Sequence, residues 1–242
     1  MTIIVKFSFL LIFAVSIPAF VEGQTYFNGS FLMDFKTSMD TEKDFPMIWN
    51  IERELDGGRM VLEIQDEMQK MGVSKRVLFN PKDSTWTMMM QYNKVKQGTR
   101  IHAAKMFNDS IKPKSFEINN TKEKRIISGY ACKKMILISD KYISEVWTTK
   151  ELKLNLCYIY KLLSHCGLMS EFVRKGDWFT GTKISGMVLE VTSKNKNTGE
   201  SYTMTISNII PGAVNTSFLS TNGFRISDIP EGQNCGVQVK EE

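Results

Sequence analysis

The sequence predicts a mainly β protein, an antiparallel sheet with at least one helix laid over it. Three observations carry that expectation. Apolar residues recur with a period of two through most of the chain, turn-forming residues separate the runs, and one stretch alone changes to a period of three to four.

The strands can be justified in order. Phe27, Phe31, Met33 and Phe35 share one face of a first strand. Met47, Trp49 and Ile51 alternate in a second, and Met60, Leu62 and Ile64 return beyond the turn Asp56-Gly57-Gly58, which makes a hairpin. Val73, Val77 and Phe79 lead through Asn80-Pro81-Lys82-Asp83 to Trp86, Met88, Met90 and Tyr92. This is a second hairpin, with Pro81 placed where no ladder donor is needed. Further strands are predicted over 99–107, 124–127, 130–138, 142–148, 183–193 and 201–209, the last two joined by the polar turn KNKNTGE.

The one change of period lies in 150–172, where Leu152, Leu156, Ile159, Leu163 and Cys166 follow at spacings of four, three, four and three. That spacing predicts a helix with one apolar stripe, ended near Gly167. Its physical purpose is to cover a sheet face, since an open sheet does not otherwise bury its apolar side.

Residues 1–23 read as a signal peptide. A single positive residue, Lys6, precedes an apolar run from Phe7 to Phe20, and Val21 and Gly23 are the small residues before a cut at Gln24. A cysteine is missing after that cut, so no lipid attachment is predicted there. The run is short for a membrane span, and nothing later in the chain is long and apolar enough to be one. The expected location is therefore the periplasm or the exterior. Residues 24–242 are read as a single domain, because neither a repeat nor a low-complexity linker divides them, and 42% hydrophobic residues suffice for a core.

Cys132, Cys157, Cys166 and Cys235 are an even number in an exported chain, which permits two disulfides in any of three connectivities. On one straight helix, Cys157 and Cys166 stand about 13 Å apart along the axis, too far to bond to each other. Cys157, His165 and Cys166 lack the paired spacing of a metal site, and no metal or cofactor is predicted.

The formal net charge is +5, and residues 111–141 hold eight Lys or Arg against three acidic residues, so this stretch accounts for the excess of the whole chain. Lys112, Lys114, Lys122, Lys124 and Arg125 are the candidate patch for anionic headgroups or an acidic partner, such as another envelope protein. The plainer reading is a set of solvated strand faces, and it is preferred. Nucleic acid is a poor partner for an exported chain whose basic residues form no recognition motif.

Catalytic motifs are sparse. His102 and His165 are the two histidines, and neither stands in a motif with a nucleophile or carboxylate. Nucleophile elbows, Gly-rich phosphate loops and zinc-binding His-Glu pairs are missing as well. No catalytic residue is assigned, and a non-enzymatic protein is expected.

The segments ISGYACKKMILIS (127–139), SEVWTTKEL (144–152), ISGMVLEVTSK (184–194) and VNTSFLSTNGFRISDIP (214–230) resemble an exported bacterial family known only as a domain of unknown function. That family is grouped with the LolA-like and LolB-like outer-membrane lipoprotein carriers. The resemblance covers about the carboxyl-terminal half, and the amino-terminal hairpins fit it in pattern only. It implies an open, strongly curved half-barrel with helices against its concave side and an apolar interior that in the carriers receives acyl chains. It brings no catalytic residue.

On that reading Trp86, Met88, Met90 and Tyr92 belong to an inner wall, while Thr87, Met89 and Gln91 face the other way. Leu156, Ile159 and Leu163 of the helix close the space opposite. The expected function is an exported binding protein that holds an acyl chain, lipid or lipoprotein-like ligand. The alternative is a secreted interaction domain with a filled core and a partner-binding surface.

Overall fold

The computed structural model describes residues 27–38, 46–52, 58–102, 116–152, 154, 184 and 186–229. Within them twelve strands form one sheet: β1 (Gly29–Thr37), β2 (Met47–Ile51), β3 (Met60–Ile64), β4 (Val73–Asn80), β5 (Thr85–Tyr92), β6 (Val95–His102), β7 (Glu117–Ile127), β8 (Tyr130–Ile138), β9 (Tyr142–Thr149), β10 (Met187–Asn195), β11 (Ser201–Pro211) and β12 (Arg225–Ile229). The spatial order is β12-β6-β5-β4-β3-β2-β1-β11-β10-β9-β8-β7. Two meanders, β1 to β6 and β7 to β11, thus meet where β1 pairs with β11. The end strands β12 and β7 are not paired with each other, so the sheet is open.

The hairpins follow from alternation plus turn chemistry. Trp49 pairs with Leu62 and Phe79 with Trp86, which places the apolar members of each strand on one common face. Between β7 and β8 the turn Ser128-Gly129 has φ of 50° and 88°, the doubly positive pair that a two-residue hairpin of this twist requires. β6 begins at Val95 rather than near 99, because Asn93-Lys94 alone turns the chain from β5. β7 is longer than 124–127 and starts at Glu117. Its polar, exposed face concealed it from a search for apolar alternation.

The antiparallel, helix-covered architecture expected from the sequence is corrected on both counts. β12 runs parallel to β6, so the sheet is mixed. Helix among the described residues is limited to α1 (Glu67–Lys70) and a 3₁₀ turn, Thr216–Leu219, and no helix there covers the sheet. The stripe residues Leu156, Ile159 and Leu163 lie outside the described residues, and Leu152 is buried.

What lies on the outer face of β3, β4 and β5 is the 3₁₀ turn Thr216–Leu219 with the coil on either side of it. After β11 the chain crosses that face and packs Leu219 on Val61, Leu78 and Met89, with Val214, Phe218 and Phe224 around them. The Arg76 guanidinium stacks on Phe218 and Phe224 at 5.5 and 5.9 Å, and Arg59 donates to the Leu219 carbonyl at 3.4 Å. This crossover carries the chain back before β12 is laid down, which is why β12 comes out parallel.

The inner face holds the main core. Phe31, Trp49 and Phe79 form a stacked series with centroids 6.5 and 6.0 Å apart, and Trp86, Met60, Leu62, Met204 and Ile206 belong to the same cluster.

Candidate functional site

On the inner face, strand register arranges the side chains of β3, β4, β5, β6 and β12 in ranks. The first runs Ile64, Lys75, Met90, Gln97, Arg225; the second Leu62, Val77, Met88, Thr99, Ser227; the third Met60, Phe79, Trp86, Ile101, Ile229. A cavity of about 810 Å³ lies over the first two ranks and also touches Met47 and Asp66. That volume falls in the range of small-molecule sites, roughly 300–1,000 Å³.

Its floor is apolar. Met88 is 40% exposed and Met90 45% exposed, whereas Met89 between them is 1% exposed and belongs to the outer cluster beneath the crossover. The run of three methionines is therefore divided by the pleat, as a strand of period two demands. Trp86 is buried in the third rank and Tyr92 is exposed at the strand end; neither lines the cavity.

The polar side chains of the cavity are Asp66, Lys75, Arg76, Gln97, Thr99, Arg225 and Ser227. Asp66 caps α1, accepting from the Met68 and Gln69 amides at 3.0 and 3.3 Å through one carboxylate oxygen. Its other oxygen accepts from Lys75 Nζ at 2.7 Å. The cap thereby places a carboxylate against the cation of the neighbouring strand. Arg225 is exposed at the far side of the cavity. Arg76 touches the cavity wall, but its guanidinium is engaged on the outer face by the two phenylalanines. Beside the cavity, the indole N–H groups of Trp49 and Trp86 are buried without a hydrogen-bond acceptor among the described residues. An unpaired buried donor costs roughly 1–3 kcal/mol.

Within the described residues Lys122, Lys124 and Lys133 of the basic stretch line one small pocket with Thr121 and Glu123, Lys124 standing opposite Lys133. Lys122 and Lys124 are exposed on β7, and Lys112 and Lys114 lie outside. Arg125 lies over the Trp147 ring at 4.1 Å and pairs with Glu190. Nearby, Lys134 pairs with Glu145 at 2.9 Å and Glu123 at 3.4 Å, and the hydrogen bond it donates to Glu145 holds its ammonium above the usual lysine range. Several charges of this stretch are thus balanced within the sheet.

Of the four disulfide candidates, Cys132 is a buried free thiol, and Cys157, Cys166 and Cys235 lie outside the described residues. His102 stands 3.5 Å from Asp228 at the β6–β12 edge, outside the cavity lining. Sequence reasoning missed Asp66, Lys75 and Arg225. The signal for Asp66 was an acidic residue just before a short polar run; Lys75 and Arg225 come together only through register.

The fold is similar to several solved structures. One is PNGF-II, at 14% identity and TM-score 0.37, covering 84% of this chain and 32% of that one; this chain thus spans about a third of its length. A DUF1329 family protein from Desulfovibrio piger matches at 9% identity and TM-score 0.35, covering 82% and 92% of the two chains. A LolA superfamily protein from Nitrosomonas europaea matches at 8% identity and TM-score 0.30, covering 82% and 91%. No curated protein matches the chain significantly in sequence. A family model spans residues 27–221, most of the chain, and the protein belongs to the family it describes, the domain of unknown function DUF4412.

Proposed function

We propose that this chain is an exported binding protein that takes up an apolar, acyl-type ligand on the inner face of its sheet and performs no chemistry on it. The observation that carries this reading is the pair Met88 and Met90. Two large apolar side chains stand close to half exposed on the floor of a cavity of about 810 Å³, continuous in register with the buried core. Covering each would contribute roughly 1 kcal/mol, and unbranched thioethers adapt to guests of varied shape. A filled core would have buried them. The leader-like residues 1–23 support export, and no helix among the described residues is long and apolar enough to cross a membrane. The motif resemblance to a family grouped with the lipoprotein carriers points the same way.

The test uses an uncharged fluorophore, N-phenyl-1-naphthylamine, titrated into the purified protein. Saturable enhancement is expected, with Met88→Glu or Met90→Glu abolishing it and Met88→Leu leaving it largely intact. Because both methionines are partly exposed, the glutamate variants should keep the native circular dichroism. Absence of saturable uptake by the wild-type chain would sink the proposal.

A further inference from the structure

The three inner-face ranks differ in polarity along the strands. The first holds two cations and an amide, Lys75, Gln97 and Arg225. The second is apolar on β3, β4 and β5 and carries hydroxyls, Thr99 and Ser227, on β6 and β12. The third, Met60 to Ile229, is apolar throughout. Successive ranks are about 7 Å apart, so polarity falls from charged to wholly apolar over about 14 Å. Lys75 and Arg225 stand at opposite ends of four adjacent strands, about 14 Å between backbones, and their long side chains bracket the space above Met90 and Gln97.

Four charged groups, Asp66, Lys75, Arg76 and Arg225, line the cavity. Asp66 neutralises Lys75 at 2.7 Å, and the Arg76 guanidinium is turned to the outer face. Arg225 is left as the unbalanced cation of the lining among the described residues. One excess positive charge, beside a carboxylate that would repel a second negative charge, matches a singly charged anion. A guanidinium is suited to accept a carboxylate through two parallel hydrogen bonds.

We infer that the ligand is a single-chain amphiphile with a carboxylate head, seated head-first between Arg225 and the Lys75–Asp66 pair with its chain lying along Met90 and Met88 toward the Trp86 rank. This rests on the cavity being the ligand site, as proposed above. The site discriminates by head charge: a neutral head forfeits the arginine, and a cationic head meets it at close quarters.

Competition against N-phenyl-1-naphthylamine at low salt separates the two readings, using dodecanoate, dodecanol and dodecylamine as competitors. Dodecanoate should displace the probe at about tenfold lower concentration than dodecanol, with the amine weakest. Arg225→Gln should bring acid and alcohol to within about threefold of each other, and Arg225→Lys should restore part of the preference. Added salt should narrow it in the wild type. Equal displacement by dodecanoate and dodecanol would overturn the head-group assignment while leaving the apolar cavity standing. If the wild-type chain binds neither the probe nor any competitor, both fall.

Discussion

At Cys132 burial decides the chemistry. The thiol is 1% exposed and its S–H donates to the Tyr130 carbonyl at 3.5 Å. Burial pushes it above its ordinary value of 9.0, only partly opposed by a backbone hydrogen bond from Ile127 and the charge of Arg125. The native fold therefore keeps its proton when the unfolded chain gives it up. The stability this contributes is fully present below about pH 9 and is lost as pH rises through the folded value. Iodoacetamide at pH 8 should leave Cys132 unmodified in the native protein and label it in denaturant, read by peptide mass spectrometry. Rapid native labelling, or recovery of Cys132 in a disulfide, would refute this. Asp66 shows the same dependence on surroundings: one residue both starts α1 and holds Lys75 at the cavity, and neither role shows in its identity alone.

Among the elements, β12 depends on Gly98. A Cβ at that position would lie 2.9 Å from the Met88 carbonyl oxygen of β5 and 2.7 Å from Ile226 Cδ1 of β12, so a side chain there strains the β5–β6 pairing and forces Ile226 to shift. Gly98→Val should destabilise the protein by about 1–3 kcal/mol in urea unfolding. The same variant should raise deuterium uptake over 225–229 more than over β8. Unchanged exchange at β12 would mean that the contact is not limiting. The crossover before β12 shows how the outer face is covered without a long helix. Leu219 and the arginine-stacked phenylalanines seal the outer face of β3 to β5 with one 3₁₀ turn and coil, a cover too short and irregular to have a period that can be read in advance.

At the scale of the molecule, the seam between β1 and β11 joins two meanders, within each of which every strand pairs with the next one in the chain. The seam lies at the middle of the order, and Phe35 opposite Met204 and Met33 opposite Ile206 are buried across it. Opening it exposes the core from both sides, so its amides should exchange only by global unfolding, while those of the end strands β7 and β12 exchange by local opening. Native-state hydrogen exchange should rank β1 and β11 slowest. If β7 proves as protected as the seam, the sheet is not organised around this joint.

The sequence by itself determined the strand-rich character, the hairpins β2–β3 and β4–β5, the burial of Phe31, Met33, Trp49 and Phe79, and the separation of Met88 and Met90 from Met89. These follow from a period of two and from turn residues, which act over a few neighbours. It did not reveal β12, the exposed part of β7 or the coil over the outer face, because polar edge strands and irregular covers lack an apolar period. It also did not reveal the polar members of the cavity. Lys75, Gln97 and Arg225 come from β4, β6 and β12, and only the register of β4, β5, β6 and β12 sets them in one rank. The partial exposure of Met88 and Met90 over a cavity likewise comes only from tertiary structure. Alternation assigns a side chain to a face, but what lies over that face depends on segments distant in the chain.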